Sequence, residues 1–269
     1  MGLLAGLYFA LRGRSRRVAE GALFAVLLAG FVLHFAKLFF EPYRSWMPYA
    51  LRTVTPENLC AVSVLLFPWL FLSRGKLARD YLFYMGVVSG LGATLIPVDV
   101  IGRPAFEFET LRFYFSHVTL WVVPLLMVML KVHALDYRRI PRVPLLVYAV
   151  MGVIVVNEVI LIGAGFVHAG HLFSSEVRNS ALIFGPLSDV EFLGRLFLPL
   201  TPPVFTRVPV GPNAGAVFYW PIVWLVVPSF VYFSAVSFLL ALPFQYGKVL
   251  GDLSALRLRL RRLILRRKG

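Results

Sequence analysis

The sequence predicts an all-α protein: a polytopic transmembrane bundle of about six spans, with a long outer loop between spans 5 and 6. Three observations carry this. Hydrophobic residues make up 59% of the chain and charged residues only 15%, where a soluble domain carries about 25% charged. Apolar runs of 17 to 28 residues alternate with short charged segments. A helix needs about 20 apolar residues to cross hydrocarbon, whereas barrel strands would be about 10 residues long and alternate in polarity. Finally, the basic residues gather in every second connection.

Taken in order, Leu3–Leu11 is apolar but too short to cross, and suits the interface. It precedes the basic run Arg12, Arg14, Arg16 and Arg17, the reverse of a secretory signal. Gly6 stands where a myristoylation motif needs Ser or Thr. The spans are Val18–Phe40, Thr55–Ser73, Tyr81–Pro97, Leu111–Leu130, Val143–Ala164 and Val217–Phe244. In the third, Gly86, Gly90 and Ala93 share a face suited to close helix packing. The connection Gly165–Asn213 is rich in Phe, Leu and Pro, as in Phe192–Pro199. It reads either as a segment folded back on the helices or as an interfacial anchor. Residues 1–247 form one membrane domain, and 248–269 a basic amphipathic tail with Leu253, Leu256, Leu260 and Leu263 on one face.

The net charge is +14. The N-terminal segment, the loops after spans 2 and 4, and the tail hold 19 of the 27 basic residues; the other side holds eight, with Glu41, Glu57, Asp99, Glu107, Glu109, Glu176, Asp189 and Glu191. The positive-inside rule then places both termini in the cytoplasm, in a bacterial inner membrane. The tail's eight basic residues against Asp252 fit the anionic inner leaflet, and nothing points to nucleic acid. No cofactor is implied: the single Cys60 excludes an intramolecular disulfide and any cysteine-cluster metal site.

Ionisable groups inside a span are costly and mark candidate sites. Cys60 lies roughly 6 Å past Pro56 along span 2, and His117 roughly 9 Å past Leu111 along span 4. His34 and Lys37 near the end of span 1, and Asn157 with Glu158 in span 5, fall in the same outer leaflet. The inner halves are expected to be nearly free of ionisable groups. Glu57 shares a side of span 2 with Cys60, and Glu109, Arg112, Ser116 and Thr119 form a stripe beside His117. Each residue has a plainer reading. Cys60 serves equally as a small hydrophobe, His117 as interhelical glue, Lys37 as a snorkelling cation, and Arg112 with Glu107 and Glu109 as a solvated rim. His168 and His171 are a possible metal pair lacking a third ligand.

Asn58-Leu59-Cys60, then Arg112-Phe113-Tyr114-Phe115-Ser116-His117, resemble the YwaF-like bacterial membrane proteins and their animal relative, transmembrane protein 164. The Asn157 region and Tyr219-Trp220-Pro221 fall roughly where that family has an Asn-Tyr-containing helix and a Trp-Pro-rich segment. The sequence departs from the pattern at Asn58-Leu59, where Leu-His is expected, and at Glu158, which replaces a Tyr. The resemblance implies an acyltransferase acting on membrane phospholipid with Cys60 and His117 at its centre. The residues suit that chemistry: His117 as base, Cys60 as nucleophile, Asn58 or Asn157 as oxyanion donor, and Arg112 on the lipid phosphate. Two other classes stand beside it. One is a solute or proton-coupled transporter using His34, Asp99, Arg112 and Glu158; the other is a non-catalytic lipid-binding protein.

Overall fold

A computed structural model describes residues 2–179, 181–187 and 191–266 of the chain. Asp189 and the last three tail residues lie outside the described residues. The helices are α1 (Gly2–Leu11), α2 (Arg16–Ala36), α3 (Leu59–Leu72), α4 (Lys76–Leu95), α5 (Phe108–Met129), α6 (Val143–Gly163), α7 (Glu191–Phe197) and α8 (Val226–Arg266). The protein is an all-α helical membrane bundle. Along α6, Val153, Val156 and Ile160 are exposed while Val147, Val150 and Ile154 are buried. A helix apolar on both its inner and outer faces is one that meets lipid.

Four described helical segments are long and apolar enough to cross a membrane: Arg16–Phe39, Phe108–Met129, Tyr137–Gly163 and Val223–Arg261. The remaining two predicted spans differ from that pattern. The helix α3 has only 14 residues, about 21 Å of rise. It starts late because Asn58 caps it, its Oδ1 accepting the Ala61 N–H at 2.7 Å. The chain before it is a tight turn over Tyr49–Val54. Helix α4 has 20 residues but begins at Lys76, so Arg79 and Asp80 lie inside it, both buried. The six expected spans thus correspond to four long apolar helices, one short helix and one with charged residues at its start.

The predicted span Val217–Phe244 also shifts. Residues 206–218 form a small hairpin, with an isolated bridge between Arg207 and Val217 and a Val208 N–H to Ala216 carbonyl bond of 3.0 Å. Pro221 follows, and α8 begins only at Val226. It then runs unbroken for 41 residues past Lys248 to Arg266. Helix α6 stops at Gly163, and Gly165, at φ +76°, closes its C-terminal turn. There the Phe166 N–H reaches the Leu161 carbonyl at 2.9 Å, a C-terminal turn that glycine adopts at no steric cost.

Helix α4 packs along α5, α2 lies against α3 and α5, and α6 touches α3, α4 and α8. The long connection folds back into the bundle: Ile183 and Phe184 are buried, and the fully buried Trp224 donates to the Leu182 carbonyl at 2.8 Å. Asn179 holds this segment, its Nδ2 donating to the Gly185 carbonyl at 2.7 Å and its Oδ1 accepting the Phe184 N–H at 2.9 Å. This non-helical backbone is thus surrounded by protein, which supplies hydrogen bonds that lipid could not.

Candidate functional site

The candidate residues meet at the end of the bundle where α2 and α6 finish and α3 and α5 begin. Cys60 is the second residue of α3, a half-buried free thiol. The first turn of a helix carries unpaired N–H groups and the positive end of its dipole, so this position favours developing negative charge. Asn58 is fixed beside it by its capping bond, which leaves its Nδ2 as the group that can donate.

His117 stands in the third turn of α5, and its Nδ1 is 2.8 Å from the Phe113 carbonyl oxygen. A carbonyl only accepts, so in the neutral ring Nδ1 carries the proton and Nε2 is the basic nitrogen. The ring leans on Phe113 at 4.1 Å between centroids. No hydrogen bond joins Cys60 to His117 among the described residues. Asp99, in the turn between α4 and α5, lies within electrostatic range of both.

Two polar assemblies flank this pair. In the first, Arg112 Nε donates to Glu109 Oε2 at 2.7 Å, a second guanidinium N–H bonds the other Glu109 oxygen, and Arg112 Nη2 donates to the Tyr43 hydroxyl at 3.2 Å. The Tyr43 hydroxyl closes the ring by donating to Glu109 at 2.8 Å. Arg112 is therefore oriented by its own helix neighbour. Lys37, predicted to snorkel, is instead buried, with Nζ donating to the Thr53 carbonyl at 2.7 Å and stacked 5.1 Å from the Tyr43 ring centroid. His34 is buried nearby, and its Nε2 has no hydrogen-bond partner among the described residues.

The second assembly joins α3 to α6 through the returning loop. Arg178 donates to Glu158 through Nε at 2.8 Å and Nη2 at 2.6 Å, and reaches Glu57 at 3.3 Å. Its hydrogen bonds to Glu158 raise its pKa above the ordinary arginine value. Arg178 sits at φ +55°, a strained region for a residue with a side chain. Asn157 Nδ2 donates to the Thr55 hydroxyl at 3.0 Å, tying α6 to the chain entering α3. Asn157 is thus committed to a structural bond, and Glu57 and Glu158 are brought together by a residue the sequence reading missed. The signal was present: two carboxylates expected at one depth call for a shared cation.

Arg178→Ala leaves Glu57 and Glu158 facing each other without their arginine. The expected loss is about 3 kcal/mol, moderated by the partial exposure of Arg178 and Glu57, and read as a lower unfolding temperature in detergent. Arg178→Lys keeps the charge but not the forked bonds, and falls between.

The expectation that the opposite half lacks ionisable groups is corrected. Asp80 is fully buried there, bonded to His133 Nε2 at 2.7 Å and to Arg139. Arg79, also buried, donates to the Phe71 carbonyl at 2.9 Å and lies 3.6 Å from Glu20. These groups were hidden because α4 starts five residues before the predicted span. The His168 and His171 rings lie 5.6 Å apart between centroids, tilted by 53°, and His168 Nδ1 accepts the Gly170 N–H at 3.1 Å. No cluster of three or more metal-ligating side chains occurs among the described residues.

The TMEM164 family model matches residues 1–174. The match takes in Cys60, His117, Asn157 and Glu158 and stops before Arg178 and the Tyr219–Pro221 segment. No curated protein and no solved structure matches the chain.

Proposed function

We propose that this chain, which belongs to the TMEM164 family, is a membrane-embedded acyltransferase that moves an acyl chain from a phospholipid through Cys60 and His117. The observation that carries the reading is local. A thiol occupies the first turn of a capped helix, and at the same end of the bundle an imidazole has its Nδ1 engaged and its Nε2 left as base.

In the proposed cycle His117 Nε2 takes the Cys60 proton, and the thiolate attacks the acyl ester carbonyl. The tetrahedral oxyanion is met by Asn58 Nδ2 or by the first-turn N–H groups of α3. Its collapse breaks the ester C–O bond, and the lysophospholipid alkoxide leaves with the proton from His117. An acceptor hydroxyl or amine then attacks the thioester, gives its proton to His117, and releases Cys60 as thiolate, which is reprotonated. Nucleophile and base pairs lying apart without substrate commonly tighten when it binds. Arg112 and Lys37 supply positive charge for a lipid phosphate at the same end. By the charge bias of its connections we place both termini on the cytoplasmic side of a bacterial inner membrane.

Reconstitution in liposomes with two phospholipids of different acyl chains tests this. Mass spectrometry of the lipids is expected to find exchanged chains with the native protein and none with Cys60→Ser; equal exchange with both would reject it.

A transport reading draws on one specific finding. Buried ionisable groups occur at both ends, and Ser63, Ser116 and Thr119 have buried hydroxyls without partners between them among the described residues. Flux of a proton or solute across the liposome that is lost with Glu158→Gln would favour it.

A further inference from the structure

The last third of α8 leaves the bundle with its apolar face uncovered. Up to Asp252 the helix is pinned to the connection between α5 and α6. The Tyr137 N–H donates to Gln245 Oε1 at 2.8 Å, Lys248 Nζ lies 2.9 Å from Asp136, and Arg138 donates to Asp252 at 2.7 Å. The Tyr137 hydroxyl also donates to Asp252. Beyond that point Leu253, Leu256, Leu260, Leu263 and Ile264 are each 51 to 58% exposed. At about 100° per residue these five fall within an arc of about 100°. Arg257 and Arg261 border one edge of that stripe and Arg259 the other. Gly247 and Gly251, one turn apart in the pinned segment, have nothing within 4 Å of where a Cβ would stand.

We propose that this segment docks on the anionic headgroups of the same bilayer from which α8 emerges, leucines in the acyl boundary and arginines at the phosphates. Charge decides among the occupants. A second copy packed along the leucine stripe would bring Arg257 and Arg259 against like charges at the flanking positions. An anionic lipid surface pairs with both edges at once. Proximity favours the same membrane, because Asp252 anchors the helix one residue before the stripe begins.

The test uses the full chain, one copy per nanodisc, with an environment-sensitive fluorophore on Leu260→Cys in a Cys60→Ala background. Discs contain phosphatidylcholine alone or with phosphatidylglycerol. With phosphatidylglycerol the emission is expected to move to the blue, and acrylamide quenching to fall several-fold. A label on Leu258→Cys, which points away from the stripe, is expected to stay accessible. Removing Arg257, Arg259 and Arg261 as glutamines is expected to lower the docked-to-undocked ratio about fivefold per residue, the equivalent of about 1 kcal/mol for each basic side chain near a charged surface. A Leu260 label equally exposed in both lipids overturns the proposal. So does protection that is equal in both lipids, or that appears only in discs holding two copies, which would assign the stripe to self-association.

Discussion

His117→Ala is expected to slow acyl transfer by about 10²- to 10⁴-fold, the usual contribution of a positioned general base. A thiol in an apolar setting resists ionisation, since burial disfavours its charged form. The α3 N-terminus helps the thiolate, but a dipole does not accept a proton. His117 is the group fitted for that, because the Phe113 carbonyl holds its proton on Nδ1 and leaves Nε2 basic. The fold should survive the substitution, as the hydrogen bond the ring makes among the described residues is to its own helix. Unfolding temperature and monodispersity check that point, and lipid mass spectrometry in liposomes measures the rate. A variant with native rate would remove His117 from the chemistry.

Gly86→Ala is expected to cost about 3 kcal/mol, at the upper end for an overpacked core, and to reduce the yield of folded protein. A Cβ on Gly86 would stand 2.3 Å from the Leu120 carbonyl oxygen, 2.9 Å from Pro124 Cγ and 3.0 Å from the Phe67 ring. Backbone and proline cannot swing aside, so α4 would have to part from α5. The same displacement would move His117, because a Cβ on the next-turn glycine, Gly90, would sit 2.8 Å from the His117 carbonyl oxygen. Gly92→Ala is the control: its Cβ would meet nothing within 4 Å, and it should be neutral or slightly stabilising. Thermal unfolding of both variants in the same detergent separates the two outcomes.

The spans most legible in the sequence were those whose signal is local. Val143–Ala164 matches α6 within one residue, and Leu111–Leu130 matches α5 within three, because a long apolar run is itself the cause of a membrane helix. Elsewhere, hydrogen bonds made far along the chain decide the local structure. Tyr219-Trp220-Pro221 is apolar yet belongs to the strand-like return rather than to α8, since Phe218 and Trp220 bond back to Thr206 and Phe205. Arg79 and Asp80 fell in the loop because the contacts that bury them, Arg79 on the Phe71 carbonyl and Asp80 on His133 and Arg139, are tertiary. The same holds at the site. Glu109 with Arg112 was readable from helical spacing, whereas Tyr43 and Arg178, which close the two assemblies, come from segments 66 and 20 residues from the carboxylates they serve.

The claim that Cys60 carries the acyl chain has a direct test. The protein in liposomes is mixed with phospholipid bearing an isotope-labelled acyl chain, quenched in acid at successive times, and digested for peptide mass spectrometry. A labelled thioester is expected on the Cys60 peptide; it appears before labelled product, disappears on neutral hydroxylamine, and forms more slowly with His117→Ala. Labelled product formed while the Cys60 peptide stays unmodified at every time point would contradict it.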